Sequence, residues 1–283
     1  MATVDVTVAS RTGRSRPASE DRWVAVTGGS GLLLAVADGM GGTLNGAAAA
    51  DAALAGLVEG LDPGASVHVL DAPTRPLDRL GRPIGDAVRG GDLGTAVATA
   101  HRRVRSLATD AMPLPLRPGT TLTAAVVSGR RLCLAHLGDS SCWLLRRGRL
   151  RRLTEEHTHA AQLVRAGALE VGSVAQRRLD SMLTRFAGMP GAATPQLATV
   201  RLRAGDRLLV ATDGVTRALT VPALATLLAR PGVTAADLVQ AAADAGGRDD
   251  ATALLAAVPA DIPDDMDTTR PDLNTRYVAE GAR

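Results

Sequence analysis

Four aspartates in this chain each stand at the end of a largely apolar, strand-like run. The plainest case is Leu32 to Gly42, LLLAVADGMGG, where six apolar residues lead into Asp38 and a glycine-rich turn. Leu208 to Gly214 (LLVATDG) and Leu132 to Ser140 (LCLAHLGDS) repeat that order with Asp213 and Asp139, and Gly246 to Val258 (GGRDDATALLAAV) reverses it, with Asp249 just ahead of the run. Short apolar runs bounded by glycine read as buried strands. One Asp-Gly after a strand is an ordinary turn. Four such acids imply instead that the strand ends converge, and crowded carboxylates stay ionised only beside a cation. Hard oxygen ligands without a nearby His or Cys cluster suit Mg²⁺ or Mn²⁺, and Ca²⁺ less well.

Composition narrows the classes further. The 283 residues suffice for a large buried core, and no linker divides the strand-rich stretches, so one domain is expected over residues 1–258. Pro259 onward is rich in Asp, Pro and Thr with few apolar anchors, and residues 259–283 are expected to be a disordered tail. One Phe, one Tyr and two Trp leave the core to Leu, Val and Ala, and argue against nucleic-acid recognition by base stacking. The net charge is +3, every basic residue is arginine, and the clusters at Arg102–Arg105 and Arg146–Arg152 read as solvated helix and hairpin faces. Cys133 and Cys142 fall in strands without a CxxC pair and read as reduced core residues. Neither a signal peptide nor a membrane-spanning run is found, so a soluble, cytoplasmic protein is expected.

Along the chain, the spacing predicts strands over residues 2–10 and 23–27, the second joined to the Asp38 strand by a GGSG hairpin turn. Helices are predicted over 45–61 and 92–110, with Asp92 as N-cap of the second and a surface excursion over 62–91 between them. Residues 120–153 read as four strands in an antiparallel meander, 155–167 as a short helix, and 168–195 as irregular. Two strands over 196–212, helices over 222–230 and 234–245, and a last strand over 251–258 complete the pattern.

The hairpin places Glu20 and Asp21 near Asp38, with Arg16 four residues before Glu20. An arginine fork beside a metal–carboxylate cluster is what a phosphate ester needs, although taken alone Arg16 could simply balance Glu20 on the surface. At this point the sequence resembles the metal-dependent protein phosphatases of the protein phosphatase 2C type. The resemblance rests on R-x-x-S-E-D at Arg16–Asp21, ADGMGG at Ala37–Gly42, GTTLTAAVV at Gly119–Val127, LGDSS at Leu137–Ser141, LTEEHT with the following LVRAG, ATDG at Ala211–Gly214 and GGRDD at Gly246–Asp250. DGMGG is the form typical of bacterial members.

That resemblance implies an α+β fold, a four-layer α-β-β-α sandwich of two largely antiparallel sheets with the metal site at one end. It implies that Asp38 bridges two Mn²⁺ or Mg²⁺ ions, with Asp213 and Asp249 completing the first and Glu20 and the Gly39 carbonyl serving the second. Asp139 and Asp213 would hold a third, weaker ion, Asp21 would support the ligands from behind, and Arg16 would bind phosphate. The implied activity is hydrolysis of phosphoserine and phosphothreonine by a metal-activated water, countering Ser/Thr kinases, in a monomer whose partners are phosphoproteins. Some relatives have a histidine where this chain has Met40, so the leaving group's proton would come from water. Residues 154–195 match the family's flap, and His157 and Arg185 fall at recurrent positions there with a structural or a catalytic role.

The chain departs from the pattern at Ser19 and Asp250, where asparagine is usual, at Ser141 for arginine, and at Thr43 for histidine. None removes an implied ligand. These departures motivate a second reading, a pseudophosphatase that binds a phosphoprotein or kinase as an adaptor. A narrower enzyme reading, a phosphatase of an anti-sigma-factor antagonist, is disfavoured by Glu20, which matches the general bacterial branch.

Overall fold

The computed structural model describes residues 4–14, 16–28, 31–40, 44–62, 90–109, 112–113 and 117–259. In chain order the strands are β1 (Asp5–Arg11), β2 (Asp21–Gly28), β3 (Gly31–Met40), β4 (Gly119–Thr120), β5 (Leu122–Ser128), β6 (Arg131–Leu137), β7 (Ser141–Arg146), β8 (Arg149–Arg152), β9 (Gln196–Arg201), β10 (Arg207–Ala211) and β11 (Ala251–Ala257). The helices are α1 (Leu44–Leu61), α2 (Gly90–Ser106), α3 (His159–Arg165), α4 (Val174–Leu179), α5 (Asp213–Thr216), α6 (Val221–Ala229) and α7 (Ala235–Asp244). One sheet runs β1-β11-β10-β7-β8; the other runs β2-β3-β5-β6-β9, with β4 on the end of β3. Every pair is antiparallel.

Alternation along the strands sets the layers. Leu33, Ala35 and Ala37 of β3 pack outward with Leu54, Leu57 and Val97 of α1 and α2. The intervening Leu32, Leu34 and Val36 pack inward against Leu144, Val210 and Leu254 of the other sheet. That sheet's opposite face, with Trp143, Leu209 and Leu255, is covered by Leu224 and Leu228 of α6 and Leu238 of α7. The order is therefore α-β-β-α, as the resemblance implied. Each fully buried leucine contributes roughly 1.5–3 kcal/mol. Helices α1 and α2 approach closely because their contact is made of small residues: a methyl added at Gly56 or Gly60 would lie 2.7 or 2.5 Å from the Cα of Ala100 or Ala96.

Several expectations need correction. The four strands over 120–153 do not form one meander: β5 pairs with β6 in one sheet and β7 with β8 in the other. The chain changes sheets at Gly138–Ser140, where Gly138 has φ +110° and an added Cβ would lie 2.6 Å from the Thr121 side chain. Asp92 lies inside α2, which starts at Gly90 and ends at Ser106. The helix expected over 155–167 is shorter, because Thr158 pairs with Leu183 and then caps α3 by accepting from the Ala161 N–H at 3.1 Å. The stretch read as irregular contains α4, capped by Ser173. The body of the 62–91 excursion, the centre of the GGSG turn, Thr43 and the expected tail from residue 260 lie outside the described residues. Among the described residues, no helix is long and apolar enough to cross a membrane.

Candidate metal centre

The period-two pattern that fills the space between the sheets turns polar at one end. Two residues beyond Val36 comes Asp38, and two before Trp23 comes Asp21; β2 and β3 pair these aspartates directly. On the same inward faces lie Thr123 of β5, His136 of β6 and Thr252 of β11, and Thr212 follows β10 in the same alternation. All four are buried.

These hydroxyls fix the acids. Asp21 Oδ2 accepts from Thr212 Oγ1 at 2.8 Å and Thr252 Oγ1 at 2.7 Å, which ties the start of β2 to the opposite sheet. Burial, moderated by those two bonds, pushes the Asp21 carboxyl up to about 7. Burial first, then the neighbouring carboxylates of Asp21, Asp213, Asp139 and Asp249, hold Asp38 well above the ordinary carboxylate range. The Asp38 N–H donates to Thr121 Oγ1 at 2.9 Å, and that oxygen also meets Ser140 Oγ at 2.8 Å, joining the end of β3 to the sheet-crossing turn.

The crossing delivers Asp139, whose carboxyl burial raises to about 7, with Asp213 adding to the effect and Arg217 opposing it. Asp213 is the first residue of α5, and burial raises it too. Glu20 enters from the turn before β2. Its carbonyl accepts from the Gly39 N–H at 3.2 Å, and a Cβ at Gly46 would lie 2.6 Å from its Oε1. Gly39 is equally confined, its added Cβ falling 2.2 Å from the Gly46 carbonyl oxygen. Arg16 donates to Glu20 and lies 3.2 Å from Asp249 Oδ1 and 3.6 Å from Asp250 Oδ2. All eight expected residues, Arg16, Glu20, Asp21, Asp38, Gly39, Asp139, Asp213 and Asp249, thus come to this end of the sandwich.

The departures have structural roles. Asp250 accepts from the Gly13 N–H at 2.7 Å through Oδ1 and from the Glu20 N–H at 2.8 Å through Oδ2. Ser19 Oγ accepts from the Asp21 N–H at 3.2 Å, and Ser141 Oγ from Trp143 Nε1 at 2.8 Å. His157 is buried, its Nδ1 accepting from the Gly138 N–H at 3.2 Å, and its ring stacks on His136 at 4.8 Å. Burial pushes its pKa down to about 3, with Arg185, Arg165 and Arg152 acting the same way, so it holds the crossing turn as a neutral ring. Sequence reasoning missed Arg217. Its Nη2 donates to Asp139 Oδ2 at 2.6 Å and to the Asp180 carbonyl at 2.8 Å, while Nη1 lies 3.0 Å from Asp213 Oδ2. The available signal was its place four residues after Asp213, one helical turn away.

The family model for protein phosphatase 2C matches residues 12–244. The chain belongs to the protein phosphatase 2C family. The serine/threonine protein phosphatase PstP of Mycobacterium tuberculosis is 31% identical over 234 residues, covering 80% of this chain, which spans only 40% of that relative's length. A solved structure of the S. agalactiae serine/threonine phosphatase superposes with TM-score 0.74 at 25% identity, covering 90% of this chain and all of the other. The catalytic domain of PstP, solved in complex with two manganese ions, superposes with TM-score 0.70 at 29% identity over 90% of this chain and 98% of its own.

Whether such ions suit this 2C centre is answered by its donors. They are carboxylates, the ligand type of Mn²⁺ and Mg²⁺. Asp213 Oδ1 is buried without a hydrogen-bond partner, a cost that a cation would remove. Among the described residues no three acidic, His or Cys side chains are drawn into a closed cage. Arg16 and Arg217 instead stand among the carboxylates as their counter-ions.

Proposed function

We propose that this chain hydrolyses phosphoserine and phosphothreonine in proteins, using Mn²⁺ or Mg²⁺, and so counters Ser/Thr kinases. The observation that carries the reading is the convergence of Asp38, Asp139, Asp213 and Asp249 from separate strand ends, with Arg16 beside them. Asp38 would bridge two ions, Asp213 and Asp249 would complete one, and Glu20 and the Gly39 carbonyl the other. Bound there, the ions would supply an activated water and neutralise charge on the phosphoryl group.

The protein's own residues do the rest. Arg16, half-exposed and already reaching Glu20 and Asp249, presents a fork that can take two phosphate oxygens. Asp21, held by two threonines of the other sheet, fixes the start of β2 and with it the neighbouring Glu20. Met40 carries no proton to give, and the leaving alkoxide would take its proton from water.

Nothing favours the adaptor reading, since no expected ligand is replaced and the substituted Ser19, Ser141 and Asp250 have structural partners. The substrates would be phosphoproteins, a Ser/Thr kinase or its targets among them, met by a monomer in the cytoplasm; two buried free cysteines agree with a reducing compartment. The test is hydrolysis of phosphothreonine peptide after chelation and Mn²⁺ or Mg²⁺ add-back, with Asp38→Asn and Asp213→Asn as controls. Metal-restored activity, reduced at least about 100-fold in both variants, is expected. A folded protein inactive with every metal would overturn the enzyme reading in favour of the adaptor.

A further inference from the structure

Arg217 closes α5, its N–H donating to the Asp213 carbonyl at 2.7 Å. Its side chain turns back over the helix to the Asp213 carboxylate and across to Asp139 on the sheet-crossing turn, and the same Nη2 reaches the carbonyl of Asp180. Asp180 is the C-cap of α4, within the flap. One guanidinium thus joins a strand end of each sheet to the segment that borders the centre. The two carboxylates it bridges are 8% and 9% exposed, whereas the guanidinium side chain is 44% exposed. The acids are therefore committed to a partner that water reaches from only one side.

We propose that Arg217 is the resident cation of the Asp139–Asp213 pair, so that the centre takes two divalent ions rather than three and the α4 end of the flap is tied to it. The proposal rests on the metal-centre reading above. Its physical basis is competition for the same oxygens. A divalent ion between these carboxylates would have to displace charge-assisted bonds at 2.6 and 3.0 Å, and the displaced guanidinium, anchored one helical turn from Asp213, would remain close enough to repel it. Moving Arg217 aside would also release the Asp180 carbonyl, so occupation by an ion and attachment of the flap exclude one another.

The test is Mn²⁺ binding to the chelator-treated full chain, followed by the electron paramagnetic resonance of free Mn²⁺, with hydrogen exchange over residues 178–184 as a second readout. Wild type should bind two ions per chain. Arg217→Gln and Arg217→Ala should each gain a third, weaker one and exchange faster over 178–184. Three ions in wild type, or two in both variants with unchanged exchange, would overturn the proposal while leaving the metal centre intact. No bound Mn²⁺ in folded wild type would overturn the metal reading itself, and this proposal with it.

Discussion

Asp250→Asn isolates one interaction that the geometry makes expensive to lose. The Asp250 carboxylate is 3% exposed and uses one oxygen for the Gly13 N–H and the other for the Glu20 N–H. An amide is nearly the same size but offers a single acceptor, so one backbone N–H would face the new NH₂ group. Leaving that buried donor unsatisfied costs about 1–3 kcal/mol. The surviving bond would change from charge-assisted to neutral, a loss of about 1 kcal/mol. The contact with Arg16, 3.6 Å away and on a side chain 33% exposed, adds at most a fraction of a kcal/mol after screening.

The expected total is about 2–4 kcal/mol, measured by urea unfolding of the chelator-treated protein. With a slope near the top of the usual range, the midpoint should fall by about 1 M with the slope unchanged. A midpoint within about 0.2 M of wild type would refute the claim that this carboxylate clamps the two N–H groups. Asp250→Ala should cost more, because it orphans both donors.

Two further outcomes concern Glu20 and the buried acids. Gly46→Ala places a methyl 2.6 Å from Glu20 Oε1 and should weaken Mn²⁺ binding by about tenfold, which is about 1.4 kcal/mol, when measured by calorimetry; unchanged affinity would mean that Glu20 is no ligand. The Asp21 and Asp139 carboxyls, both raised to about 7, keep protons in the folded state that the unfolded chain loses near pH 4. The stability of chelator-treated protein should therefore fall as pH rises from about 4 to about 7; thermal melts that rise with pH in this window would contradict the burial argument.

The acids at the strand ends were legible because each follows or precedes a largely apolar run, and the Asp21–Asp38 pairing because a four-residue hairpin leaves little choice of register. The sheet change at Gly138 was not legible. LGDSS has the composition of a hairpin turn, and only the close contact of Gly138 with Thr121, the residue between β4 and β5, distinguishes the two. Arg217 was hidden for a related reason: its partners Asp139 and Asp180 are far from it in sequence, and its near partner Asp213 became one only when the residues after the strand coiled into α5. Asp250 looked like one more charge near the metals, yet its partners are backbone donors, which no side-chain pattern announces.

Charge explains why these features belong together. Glu20, Asp21, Asp38, Asp139, Asp213, Asp249 and Asp250 are seven carboxylates at one end of the sandwich, answered by the two guanidiniums of Arg16 and Arg217. Fully ionised, they leave five negative charges in excess, which adds to burial, the larger cause, in raising Asp21, Asp38, Asp139 and Asp213. Two divalent ions reduce that excess to one, and a proton kept on Asp21 removes it. A third divalent ion beside Arg217 would carry the same group of residues past neutrality, so the count of charges and the geometry of Arg217 argue for the same stoichiometry. Register makes this balance possible: slipping β3 by one residue would turn Asp38 to the helix side and bring Ala37 or Gly39 to the end of the middle layer, leaving the acids of the opposite sheet without the carboxylate they face.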